Sequence, residues 1–388
     1  MKKFFGPFQS ILGRLFLTLL IFTLLVALFY FEEDWRGRHS WQTYKQQIET
    51  KGENLDFASI IPPQVPDEQN FAMTPVVASS YAAMLDGSGH EVNPRKTNIT
   101  NRMQMKIYAK LDELDIKLKH YPEFDSWQKE AMTDLKLWQE YYRLKAAESN
   151  EFPIPPQPQS PARDVLLALG KYDSTIEELR RASRLPYSRF PLNYEEKKQN
   201  PAAILLPHLA ALKTCAQTLA LRATAELQDN QSEKAFEDAM LALQLAGKIR
   251  TEPFLISSLV RIAMLKLALQ PVWEGLAENR WSEAQLVSLD EELGKLDFLA
   301  DYDFAMREER CFDMQVIEHL RHADNPPREF DSMMMDDGKT LMRFEVIALL
   351  LGPSGWYDQN KVQIAGFFQK WYLRAADHEN RTFLPTVI

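Results

Sequence analysis

The chain has 388 residues and a net charge of −9, with 54 acidic against 45 basic side chains. That length is enough for a large core and for more than one domain, and the acidic balance excludes a polyanion binder, so nucleic acid is not expected as a partner. The only two cysteines, Cys215 and Cys311, supply no disulfide framework; both sit in helical apolar patterns, where buried free thiols are the expected state.

The first element is an apolar run, Leu15–Phe31 (LFLTLLIFTLLVALFYF), preceded by Lys2, Lys3 and Arg14 and followed by Glu32, Glu33 and Asp34. Seventeen helical residues span ~26 Å, close to a bilayer's hydrocarbon core. The partner of this segment is therefore the lipid bilayer, through Leu15 to Phe31. The cationic side stays inside, which puts the N-terminus in the cytoplasm and the body across the membrane. A cleaved signal peptide is the competing reading. It fits the cationic start, but the run is long for it, and the exit Leu28-Phe29-Tyr30-Phe31 is too bulky for a cleavage site. Tyr30, Trp35 and Trp41 fall where an interfacial aromatic belt lies. Lys2, Lys3 and Arg14 are the only charges in residues 1–31, so −9 becomes −12 for the remainder.

Beyond the anchor (1–34), residues 35–101 read as a juxtamembrane helix, broken near Gly37, and then an extended segment. Pro62, Pro63, Pro66 and Pro75 force that extension. Residues 102–149 read as a helical hairpin. Met103, Ile107, Leu111, Leu114 and Leu118 share one helical face, and Ala131, Leu135, Trp138 and Tyr142 form the matching one. Asp125, with Gln128, is the expected cap of the second helix. Residues 150–161 contain the proline-rich linker Phe152–Pro161. Residues 162–388 form an α-helical domain. Its helices are expected near 162–184, 203–229, 232–249, 253–279, 283–297, 299–323, 339–351 and 357–376. Asn230 with Glu233, and Ser282 with Gln285, read as capping pairs. Leu219, Ala223, Ala235, Ala239 and Ala242 follow tetratricopeptide-like spacing. The fold class is thus all-α: one transmembrane helix, then a helical hairpin and a stack of α-hairpins, tetratricopeptide-like in part.

No motif points to a cofactor, a metal or a catalytic residue. Gly338-Lys339-Thr340 has the tail of a phosphate-binding loop, but Met333 stands where the loop needs glycine, and no strand precedes it. His319 and His322 lack the second ligand set of a di-metal site and read as a solvated helix end. The acids of Asp297–Glu309 spread around a helix axis, as on an exposed charged face. The stretch Glu177–Tyr194 stands apart, because it interleaves arginines with aromatics in an acidic body. Such side chains are enriched at binding hot spots. Arg180, Arg184, Tyr187, Arg189 and Phe190 are the candidate partner-binding residues. The alternative is that they pair inside the same body.

Several segments carry a family resemblance. They are Pro62-Pro63-Gln64-Val65-Pro66-Asp67 with Asn70-Phe71-Ala72, Leu205–Lys213, Glu252–Ser257, Arg261-Ile262-Ala263 and Val272–Leu276. Together they resemble a group of membrane-anchored helical proteins of the Verrucomicrobia and Planctomycetes type of bacterium. The resemblance spans most of the chain. It implies an N-terminal anchor and a helical body, and brings no activity or catalytic residue. It also implies relatives that continue past Ile388, so that this sequence is a short form or a truncated frame. The expected protein is a single-pass bacterial inner-membrane protein with its body in the periplasm and a non-catalytic interaction or scaffolding role. The alternatives are an envelope hydrolase with an unrecognised site and an accessory subunit of a secretion or assembly machine.

Overall fold

The computed structural model describes residues 6–85, 100–108, 127–148, 151–194, 204–333, 343–377 and 379–384. The protein is all-α: helix accounts for 69% of it and strand for almost none. The only ladder among the described residues pairs β1 (Ala376–Asp377) with β2 (Thr382–Phe383). The chain divides into two compact units. A central unit takes residues 61–195 and 204–305, and a terminal unit takes residues 1–60, 196–203 and 306–388.

The central unit contains α2 (Pro75–Ala78), α3 (Leu135–Glu148), α4 (Pro161–Leu169), α5 (Asp173–Ala182), α6 (Pro207–Gln228), α7 (Ser232–Gly247), α8 (Leu255–Ala277) and α9 (Glu283–Leu293). Helix α6 is its hub and packs against α4, α7 and α8. Ala216, Ala220 and Ala223 on α6, Ala235, Ala239 and Ala242 on α7, and Ala268 on α8 are all fully buried. Alanines at the contact let helix axes approach to the near end of the usual 8–10 Å range. The α8–α9 corner depends on Gly275, where a Cβ would overlap the Trp281 ring. The Trp281 indole then donates to the Val272 carbonyl at 3.0 Å. Ser282 and Gln285 form the expected capping box of α9, and Ser160 caps α4 with Pro161 in its first turn.

Three local expectations are corrected. Residues 102–108 are not helical. Met103, Met105 and Ile107 alternate into the core, and side chains hold this extended stretch by its carbonyls. Cys215 Sγ donates to Met103 O at 3.3 Å, Thr218 to Met105 O at 2.8 Å, and Tyr142 to Ile107 O at 3.1 Å. Leu111, Leu114, Leu118 and Asp125 lie outside the described residues. The helix cap further on is Asp134, whose Oδ1 accepts from the amides of Lys136 and Leu137. Asn230 is not a helix cap. It takes a left-handed backbone (φ 60°) between α6 and α7, and α7 starts after Gln231 with no side-chain cap.

The terminal unit is built around α1 (Gly6–Glu49), a single helix of 44 residues. It also contains α11 (Pro326–Met333), α12 (Arg343–Leu351), α13 (Gly355–Phe367) and a π-helical turn Phe368–Tyr372. Helix α10 (Phe298–His322) starts in the central unit and ends here. No break occurs at Gly37. The glycine instead allows α1 and α13 to touch: a Cβ on Gly37 would fall on the Gly355 carbonyl, and one on Gly355 on the Glu33 carbonyl. The two helices run parallel, with Glu33 level with Trp356, and Trp41 and Tyr44 packed in the cluster of Met314, Ile317 and Ala365.

Ion pairs complete this packing. Arg310 is fully buried, with Glu53 at 2.6 Å and Gln369 at 3.1 Å, and Glu53 also meets Arg307 at 2.7 Å. Arg321 meets Asp358 at 2.6 Å, and Lys361 pairs with Glu318. Cys311 and Cys215 are free and buried, one in each unit; burial pushes the Cys311 thiol up to about 12, which leaves it unreactive at neutral pH.

Candidate functional site: a charged cleft on α5, α6 and α7

Asp173, Glu177 and Arg180 are spaced four and three residues apart on α5, so they share a face. Arg222 and Glu226 share a face of α6 in the same way. With Lys234, Glu237 and Asp238 of α7 they line a cleft of 410 Å³. Its centre is Asp238, a carboxylate that is 1% exposed and takes Arg180 at 2.7 Å and Arg222 at 2.9 Å. Arg222 also pairs with Asp173, and its Nη2 lies 3.6 Å from Glu226 Oε1. Arg180 reaches Glu177 at 3.3 Å and Glu237 at 3.7 Å.

Glu226 is the incomplete member. It is 3% exposed, and its Oε2 has no hydrogen-bond partner among the described residues. Burial, reinforced by the neighbouring Asp238 charge, pushes its carboxyl up to about 8 against the pull of Arg222. Burial pushes Asp238 upward too, while Arg222 and Arg180 pull the other way. The cleft therefore holds a carboxylic acid that titrates near neutrality beside a carboxylate gripped by two guanidiniums. Chemically, it can donate or accept a proton, or receive a cation when Glu226 ionises.

A pH signature follows. A carboxyl raised in the folded state binds its proton more tightly there than in the unfolded chain. Its stabilisation is full below the ordinary carboxyl value of 4.5 and is lost as pH rises toward about 8. Between pH 5 and pH 7 the loss is on the order of 2 kcal/mol. Glu226→Gln is expected to remove that slope, so the variant gains stability over the parent as pH rises. Denaturant melts of the two proteins across this range measure it. Parallel slopes would refute the assignment.

The structure divides the arginine–aromatic segment. Arg180 lines the cleft. Arg189 donates to the Pro62 carbonyl at 2.9 Å and lies over the Tyr194 ring at 5.5 Å. Phe190 is fully buried, stacked on His208 at 3.8 Å and edge-on to Phe71 and Tyr81. Arg184 and Tyr187 are exposed at the side chain, although the Tyr187 backbone pairs with Gln69 and Phe71. Alanine at Arg184 and Tyr187 together is expected to shift stability by no more than about 0.5 kcal/mol. A larger loss in a thermal melt would show that these two side chains hold the fold.

Other constellations resolve without chemistry. His208, Glu252 and Ser257 are fully buried and hydrogen-bonded in the order Ser–Glu–His, at 2.7 Å for each step. The carboxylate in the middle leaves the serine without an imidazole base. His322 bonds Glu318 at 2.9 Å, and His319 lies 3.6 Å from Glu329. Among the described residues no group of three or more ligating side chains is placed to hold a metal. In the acidic stretch, Asp301 is taken by Arg250 and Arg261. Gly338-Lys339-Thr340 lies outside the described residues.

Sequence reasoning missed Glu226 and Asp238. Glu226 carried a signal as the one acid in α6, whereas Asp238 does not stand out in α7 beside Glu233 and Glu237. Comparison with protein-family models, with curated proteins and with solved structures finds no match.

Proposed function

We propose that this protein is a membrane-anchored interaction protein of the bacterial cell envelope, with a cytoplasmic N-terminus and a periplasmic body. One observation carries the reading. Helix α1 changes its surroundings abruptly: Leu15 to Glu32 are exposed and almost wholly apolar, whereas Glu33, Gly37 and Ile48 are buried against protein. The exposed part has a mean hydropathy of 2.3 over its best window. Exposure of that many large apolar side chains is stable only in lipid. The packing of Glu33 and its neighbours favours an anchor that stays attached over a leader that is removed. The charge step from Lys2, Lys3 and Arg14 to Glu32, Glu33 and Asp34 gives the orientation.

The body supports a scaffolding role through its alanine-packed α6–α7–α8 hairpins, which have tetratricopeptide-like spacing, and through the exposed pair Arg184 and Tyr187. The resemblance to anchored helical proteins of the Verrucomicrobia and Planctomycetes type agrees with this reading. Alkaline phosphatase fused after Ile60 is expected to be active in intact cells, and a cytoplasmic reporter at the same point silent. The reverse pattern would overturn the topology.

The Glu226 cleft favours a second reading, an envelope hydrolase in which Glu226 is the proton donor. The two separate on one variant. If the protein is an enzyme, Glu226→Gln abolishes turnover of a hydrolase substrate panel while the fold persists. If it is a scaffold, purified protein turns over none of the panel and the variant differs only in its pH–stability curve.

A further inference from the structure

Helix α12 is tied to α1 at the level where α1 stops being apolar. The Tyr30 hydroxyl donates to the Leu351 carbonyl at the end of α12. Immediately afterwards Asp34 Oδ1 accepts from the Gly355 amide at 2.7 Å. Glu33 Oε2 accepts from the Trp356 indole at 3.0 Å and from Gln359 at 2.9 Å. Tyr30 and Glu33 are separated by roughly 4.5 Å along the helix axis. The Leu351 end of α12 is therefore held level with the last turn of the apolar run, and α13 runs away from it.

The surface of α12 matches that position. Ile347, Leu350 and Leu351 are 55%, 55% and 66% exposed. Their spacing of three and four residues places them on one face. Val346 to Leu351 carries no charged or polar side chain. An apolar surface of this kind, held at the depth of the headgroup–acyl boundary, is covered by acyl chains rather than by water. Nine residues are also far too few to span a bilayer.

We propose that α12 is a second, in-plane membrane contact, whose Ile347–Leu350–Leu351 face is seated in the lipid interface of the bilayer that α1 crosses. This rests on α1 being a membrane span. The occupant is lipid because the contacts from Tyr30 to Asp34 fix the depth of α12 relative to the anchor. Phe367 supplies the internal control: it is 49% exposed and as apolar, but it stands eleven residues beyond Trp356 on α13. That is roughly 16 Å farther along the axis, away from the apolar run.

The test uses the full chain in phosphatidylcholine–phosphatidylglycerol nanodiscs, carrying an environment-sensitive fluorophore on one introduced cysteine. Native Cys215 and Cys311 are buried and stay unlabelled. Thr23→Cys, Leu350→Cys and Phe367→Cys are compared, with doxyl quenchers placed high on the lipid chain or near its end. The expected result is strong quenching of Thr23→Cys by the deep quencher. Leu350→Cys should be quenched mainly by the shallow one, and Phe367→Cys by neither. Quenching at Thr23 with none at Leu350 overturns the α12 contact and leaves the anchor standing. Equal quenching at Leu350 and Phe367 also overturns it, as would disulfide capture of Leu350→Cys by a second copy. No quenching at Thr23 removes the anchor and the inference together.

Discussion

Glu53→Gln is expected to destabilise the terminal unit by about 3 kcal/mol or more. Arg310 is fully buried, and its charge is balanced by Glu53 at 2.6 Å, while Gln369 offers only a neutral oxygen at 3.1 Å. Removing the negative charge strands a guanidinium away from water, the costly half of breaking a buried pair. Burial alone would raise the Glu53 carboxyl, but the bonds to Arg310 and Arg307 outweigh it and hold it below its ordinary value. Its contribution is therefore present above that ordinary value and disappears as pH falls through the lowered one. Glu32→Gln is the matched control, since Glu32 is half exposed and only 3.7 Å from Arg36; it should move stability by less than about 0.5 kcal/mol. Urea melts of the full chain in detergent decide this. Equal effects of the two variants would deny Arg310 its assigned role.

Gly37→Val is expected to be comparably damaging, at about 2–3 kcal/mol. The space beside Gly37 is filled by the Gly355 backbone, which cannot turn aside as a side chain would. A side chain there must push α1 and α13 apart, and with them the contacts of Glu33 and Asp34 with Gly355, Trp356 and Gln359. Gly355→Val should reproduce the effect from the other helix. Gly13→Val should not, because nothing lies within 4 Å of that position. Amide exchange along α13 is the direct readout. Unchanged protection in both Gly37→Val and Gly355→Val would show that the helices do not cross there.

Much of the helical framework was legible because amphipathic period and end signals agree locally. Ser282 with Gln285 marks a helix start from neighbouring residues alone. The errors arose where long-range contacts decide the outcome. Met103 and Ile107 fit a helical face and an alternating strand-like one equally well. The hydroxyls and thiol of α6, more than a hundred residues later, select the extended form by taking its carbonyls. Gly37 reads locally as a weak point in a helix, and only its partner Gly355 explains why a glycine is there. The cleft has the same character. Arg180 was visible as an oddity in an acidic chain, but its purpose depends on Asp238, which lies 58 residues away. Phe190 looked like a rigid surface anchor and is in fact stacked on His208, a contact between segments that no spacing rule connects.

The terminal unit joins the two ends of the chain: Glu33 meets Trp356 across 323 residues of sequence. During synthesis, then, the inner face of α1 is made early and waits for those residues before its partners exist. The central unit can complete its core in that interval, since the segments that build it all lie between residues 61 and 305. Assembly is thereby ordered, with the contacts between α1 and α13 closing last. A ribosome that stalls before α13 leaves Glu33 and Gly37 without the partners that bury them.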